Sequence, residues 1–388
     1  MANKNLFKSL VGKMGPATDA LNEERAPAYK LSPKHALAQY VATGCLNATF
    51  YASAEDQLKK LLELCQEVEP EFIARTAVFA RERAFMKDAP ALLCAVLSVR
   101  DRALLAAVFP RVIDNGRMLR NFVQIVRSGI TGRKSLGTAP KRLIREWLEA
   151  RGDEAIFTAS VGQQPSLADI IRMVHPTPKT KSREALYGYL IGREADADAL
   201  PEVVCRFEGF KAGMKAGGKN GGRAEVPDVP FQMLTALDLG KAEWVAVARR
   251  APWQMTRMNL NTFARHGVFD ERGMTKLIAE RLRDPQAIRK ARVFPYQLMS
   301  AYASADARVP AEVRDALQDA MEVAIANVPE IAGKVYVFPD ISGSMHSPVT
   351  GHRGAGATSA VRCIDVAALV AAAILRKNPR AEVIPFES

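Results

Sequence analysis

The sequence predicts a mainly α fold of stacked helix pairs, followed by the beginning of an α/β segment. Apolar residues recur at helical spacing from about residue 32 to residue 330, and proline or glycine interrupts them at intervals of roughly fifteen to twenty-five residues. The period then changes at "KVYVFPD" (334–340). Such helix pairs pack mainly on their neighbours, so an array of them builds an extended curved surface rather than one deep pocket.

Each element is predicted by local signals. Leu58, Leu61, Leu62, Cys65 and Val68 recur at helix spacing behind Ser53, whose hydroxyl suits an N-cap. The next helix is predicted in "EPEFIARTAVFARERAF", and Pro70, Pro90, Pro110, Gly116 and Gly129 punctuate this part of the chain. "FKAGMKAGGKNGGRAEVPDVP" (210–230), rich in glycine and lysine, reads as a flexible basic loop or a simple connector. Near 328–334 the helical region gives way to the strand "KVYVFPD", a serine and glycine loop, a helix over 357–376 and the strand "AEVIPF". That order is the start of an α/β unit with a right-handed crossover.

Composition narrows the function. The chain has 388 residues, 48% of them hydrophobic, enough for two or three domains with real cores. Fifty-four Lys and Arg against 42 Asp and Glu leave +12, which favours a polyanionic partner, either nucleic acid or an anionic membrane. The longest apolar run, "VAALVAAAIL" (366–375), is too short to span a bilayer, and "MANKNLFKSLVGKMG" carries no signal-peptide pattern. Five scattered cysteines (Cys45, Cys65, Cys94, Cys205, Cys363) suggest neither a disulfide framework nor a thiolate zinc site, which fits a reducing cytoplasm.

The positive charge is uneven. Between Arg102 and Arg145 there are ten basic residues, among them Arg133, Lys134, Lys141, Arg142 and Arg145, against one acid, Asp114. From charge alone the run reads equally as a rim that neutralises phosphates or as a solvated face. His175, at a helix end in "LADIIRMVHPTPKTK", has a structural reading, in which a ring nitrogen bonds a free carbonyl. With Arg172, Lys179 and Lys181 close by it also has a nucleotide-contacting one. In "APWQMTRMNLNTFARHGVF", Trp253 and Phe263 fit helix packing, while Arg257, Asn259 and Arg265 supply polar reach. An asparagine inside a helix costs propensity and hints at a specific hydrogen bond.

"VYVFPDISGSMHSPVTG" (335–351) carries the remaining chemistry. A strand ending in Asp340, Ser342 and Ser344 turns a carboxylate and two hydroxyls toward one point, as a hard divalent cation requires. The alternative is that these residues end the strand and cap the next helix. A phosphatase of the haloacid dehalogenase type would need a second carboxylate where Ser342 stands, and no Gly-x-Ser-x-Gly elbow is present. The sequence therefore predicts no catalysis.

"DISGSM" after "KVYVFP" resembles the metal-ion-dependent adhesion site of a von Willebrand factor A domain, and the helical part resembles the TROVE module of the Ro ribonucleoprotein family. The segments "HALAQYVATGCLNATFYASAEDQL", "LADIIRMVHPTP", "EWVAVARRAPWQMTRMNLNTF", "ARVFPYQLMSAYAS" and "DALQDAMEVAIANVP" carry the likeness in order along nearly the whole chain. The resemblance implies an N-terminal segment (1–30), a TROVE-like RNA-binding domain of HEAT-like repeats in a ring or arc (31–330), and a partial A-type domain (331–388). It further implies binding of small noncoding Y-like RNA and of single-stranded ends of misfolded RNA, a role in RNA quality control, and an exoribonuclease partner such as polynucleotide phosphorylase. Contact of His175 with RNA is implied in the same way. Asp340, Ser342 and Ser344 would hold magnesium incompletely, because the chain stops at Ser388 and the downstream threonine and aspartate that normally complete the family's metal shell are missing. "IFTASVGQQPS" lacks the basic residues that many Ro sequences carry there. A metal-dependent protein-interaction module is the alternative function.

Overall fold

Ser53 begins its helix as its hydroxyl predicts, accepting from the Asp56 N–H at 3.1 Å, and the same device recurs along the chain. The computed structural model describes residues 19–21, 27–44, 46, 53–217, 225–349 and 359–387. These fold as two compact units, Met1–Cys205 and Arg206–Ser388.

The first unit opens with a short antiparallel pair, β1 (Ala20–Leu21) and β2 (Pro27–Ala28). Ten helices come next: α1 (Pro33–Thr43), α2 (Ala54–Glu67), α3 (Pro70–Glu82), α4 (Asp88–Arg100), α5 (Arg102–Val112), α6 (Gly116–Arg127), α7 (Thr138–Glu149), α8 (Asp153–Ala159), α9 (Leu167–Val174) and α10 (Lys181–Ile191). Helix α4 is the centre, buried from Ala89 to Ser98 and packed on α3, α5 and α6. Phe109 and Phe122 meet edge to face beside it, with centroids 5.1 Å apart. Pro70 and Pro90 lie in first turns, where a missing N–H costs nothing. Pro110 differs from the expected breakpoint: it sits inside α5, in a last turn that runs on to Val112. Of the predicted apolar face, Leu61, Cys65 and Val68 are buried, while Leu58 and Leu62 line a surface groove beside Ile130.

The division between the units falls within α11 (Glu202–Gly217), so the first part of the predicted basic loop is helical instead. Residues 218–224 of that loop lie outside the described residues, and its end is held where Arg250 donates to the Val226 carbonyl at 2.7 Å. The second unit continues with α12 (Phe231–Leu234), α13 (Lys241–Arg250), α14 (Trp253–Met258), α15 (Leu260–Arg265), α16 (Met274–Arg283), α17 (Pro285–Ala291), α18 (Pro295–Ala303) and α19 (Ala311–Ala324). Its core joins Trp253 and Phe263, as predicted, to Ile278, Leu282, Leu298 and Leu317. The Trp253 indole also donates to the Leu282 carbonyl at 3.1 Å, so its polar edge is satisfied.

The change of period near 334 is real. Strands β3 (Tyr336–Val337) and β4 (Glu382–Val383) pair in parallel, joined through α20 (Cys363–Lys377). This helix starts six residues later than expected, where the Asp365 carboxylate reaches back to the Arg362 N–H at 2.9 Å. No helix among the described residues is long and apolar enough to cross a membrane. Burial pushes the Cys65 thiol up to about 12 and raises Cys94 further, so both are packing groups rather than nucleophiles.

Candidate nucleic-acid interface

Helix α9 is closed at both ends by side chains and backbone acting together. At its start the Ser166 hydroxyl accepts from the Asp169 N–H (3.1 Å), and the Asp169 carboxylate accepts from the Ser166 N–H (3.0 Å) and hydroxyl (2.7 Å). Those Ser166 bonds hold the Asp169 carboxyl below the usual carboxylate range. At its end His175 turns left-handed (φ 48°, ψ 65°) and its backbone N–H donates to the Ile171 carbonyl at 2.9 Å. The cap is thus made by backbone, not by the imidazole. The exposed ring has no hydrogen-bond partner among the described residues.

The turn from His175 to Thr180 runs between two clefts. One, about 680 Å³, is lined by Arg172, His175, Lys181 and Arg193, and also by Glu184, Glu194 and Asp196. The other, about 310 Å³, is lined by Arg145, Glu149, Lys179, Arg183 and Tyr187. The fold therefore gathers Arg145, Arg172, His175, Lys179 and Lys181 at one turn, although Arg145 is some thirty residues away in sequence. Tyr187 and Arg183, four residues apart on α10, were missed; that i, i+4 spacing was the available signal.

The arginines here have backbone duties. Arg145 Nε donates to the Val174 carbonyl at 2.5 Å, and Arg172 reaches the Ile191 carbonyl. Arg133 donates to the Ser98 and Ser135 carbonyls. Arg142 pairs with Glu146 (2.6 Å) and Lys179 with Glu149 (2.5 Å), both exposed. Lys134, Lys141 and Lys181 have no ion-pair or hydrogen-bond partner for their ammonium groups among the described residues. Arg257 and Asn259 lie in the second unit. Arg257 donates to the Gln297 carbonyl at 2.9 Å, and burial lowers its pKa. Asn259 stands between α14 and α15, not inside a helix, and its amide donates to the Met255 carbonyl at 2.8 Å. The bond anticipated for this asparagine is a backbone cap.

The oxygens of the serine loop converge. Asp340 follows β3 and bridges to Phe386 in parallel register, and its carboxylate accepts from the Ser342 N–H at 2.8 Å. The Ser342 and Ser344 hydroxyls lie 3.1 Å apart. The Ser342 N–H first, and then its hydroxyl, keep the Asp340 carboxyl below its ordinary range. A charged carboxylate beside two hydroxyls fits part of the oxygen shell of a hard divalent cation. Among the described residues no group of three His, Cys, Asp or Glu could hold a metal.

Fold and side chains together define a mainly α protein with a short parallel α/β end and a cation-lined turn. By sequence it is similar to the RNA-binding protein RO60 of Deinococcus radiodurans, 24% identical over 382 residues, which covers 88% of this chain and 70% of that protein. By fold it is similar to the crystal structure of the Deinococcus radiodurans RO (RSR) protein, with a TM-score of 0.64 and 18% identity over 92% of this chain and 75% of the other. No family model matches. The sequence likeness bears out the resemblance to the Ro family read from the ordered segments, and the structural likeness supports the fold.

Proposed function

We propose that this chain is an RNA-binding protein of the Ro type. The observation that carries the reading is the sequence likeness, along most of the chain, to a protein named for RNA binding. The turn at 175–180, with its five gathered basic side chains and flanking clefts, supports that reading. A helical surface with cations at its exposed turns suits a phosphate backbone and reads little sequence.

In this reading the helices form HEAT-like repeats in a ring or arc that takes small Y-like noncoding RNA and single-stranded ends of misfolded RNA. The role is noncatalytic, in RNA quality control in the cytoplasm, with an exoribonuclease as working partner. The segment from 331 onward is von Willebrand factor A-like, and in it Asp340, Ser342 and Ser344 would hold magnesium. The convergence of those three oxygens favours a second reading of the same segment, a metal-dependent contact with protein.

The test is charge reversal at Lys134, Lys141 and Lys181 together. None of the three ammonium groups holds the fold together, whereas Arg145 caps α9 and would confound the result. Wild-type chain retains a structured small RNA on a filter, and the triple glutamate variant loses about tenfold or more in affinity while melting at the same temperature. Retention equal to wild type would remove the reading.

A further inference from the structure

The second unit holds basic sequence that the charge run at 102–145 overshadows. Residues 244–269 contain no Asp or Glu but carry Arg249, Arg250, Arg257 and Arg265, and residues 285–305 contain no Asp or Glu but carry Arg289, Lys290 and Arg292. The fold joins the two stretches, because Arg257 near the end of α14 donates to the Gln297 carbonyl in the first turn of α18. At that junction sit two aromatic side chains outside the core: Phe294 is 43% exposed and Tyr296 is half-buried.

The backbone that carries the two rings is fixed at this turn. Phe294 and Tyr296 lie nearly parallel, with an interplanar angle of 14° and centroids 6.5 Å apart. Pro295 between them has a fixed φ, and the Phe294 N–H donates to the Gln297 side chain at 3.1 Å. Arg289 and Lys290 are exposed just upstream and have no ion-pair partner among the described residues. An aromatic face meant for a protein core would be buried, and an apolar patch meant for an ordinary protein partner gains nothing from two stretches free of carboxylates. Exposed π-faces with unneutralised cations a few residues upstream suit unpaired bases carried on a phosphate chain.

We infer that Phe294 and Tyr296, with Arg289 and Lys290 upstream, form a stacking platform for the bases of single-stranded RNA in the second unit. The inference rests on the RNA-binding reading and adds to it a site at which the bases of a single strand are held by stacking. Base pairing hides the faces that the platform would meet, so a blunt duplex does not use it.

The experiment titrates the full chain with a labelled oligouridylate and with a blunt RNA duplex of the same length. Phe294→Leu with Tyr296→Leu keeps apolar bulk but removes the rings, and weakens single-strand binding by about tenfold or more with duplex binding unchanged. Phe294→Tyr with Tyr296→Phe keeps the rings and binds as wild type, which separates stacking from damage to the fold. Unchanged single-strand affinity in the leucine variant, or equal loss for both RNAs, overturns the platform and leaves the RNA-binding reading standing. Loss of self-association with single-strand affinity intact assigns the patch to protein contact and also overturns it. A wild-type chain that binds neither RNA removes the RNA-binding reading itself, and the platform with it.

Discussion

The guanidinium of Arg145 answers a carbonyl that the end of α9 leaves without an intrahelical partner, and the same arrangement recurs through both units. Arg183 donates to the Leu148 and Arg151 carbonyls while pairing with Asp153 at 2.6 Å, and Arg281 donates to the Ala248 and Arg249 carbonyls. A hydrogen bond from a charged donor contributes about 1.5–3 kcal/mol, more than a neutral one. These arginines therefore hold helix ends in place, and counting them as free phosphate ligands overstates the reach of the basic run. The partner carbonyls lie about thirty residues away, which is why charge counting could not separate strut from ligand. Asp340 is the opposite case, since its partner Ser342 is two residues away and Ser344, whose hydroxyl meets that of Ser342, is two further on, so the short motif was sufficient to find them. If its ionised carboxylate holds a cation, magnesium raises the melting temperature of the wild-type chain, and Asp340→Asn, which keeps the shape and removes the charge, abolishes the increase. A thermal shift that persists in the asparagine variant places the cation elsewhere.

Helix starts were legible wherever an oxygen-bearing side chain sits before an apolar run, as at Ser53. They were misread where the signal is a carboxylate reaching back to an unusual cap, as at Arg362 and Asp365. Pro110 misled for a related reason: in a last turn it removes one bond to a preceding carbonyl without stopping the helix. Helix α9 depends on its capping box, which makes it a sensitive element. Removing the Ser166 hydroxyl by Ser166→Ala costs about 1 kcal/mol. Because Ser166 holds the Asp169 carboxyl below its unfolded value, that group stabilises the fold above the ordinary carboxylate range. The contribution is lost as pH falls through the lowered value. Urea unfolding at neutral and at acid pH checks this: the gap between wild type and Ser166→Ala narrows on acidification, and a gap independent of pH excludes the Asp169 part of the argument.

For the molecule as a whole, an arginine that bonds a carbonyl keeps its full charge, so the +12 balance survives even where guanidinium groups are occupied by backbone. The consequence is a positive potential fixed on the helices of each unit, with ammonium groups such as Lys134, Lys141 and Lys181 left to meet phosphates directly. Long-range attraction and direct contact then become separable. Each lysine that neutralises a phosphate releases a condensed counterion and steepens the salt dependence, by about 0.7 in the slope of log K against log salt for a single strand. If about four phosphates are neutralised in all, the wild-type slope is about −3. Replacing the three lysines with glutamine removes direct contacts while most of the field remains, so the slope becomes shallower by about 2. Fluorescence anisotropy across a potassium chloride series measures both slopes. A parallel displacement of the two lines, with no change in slope, would mean that these lysines attract RNA without touching it.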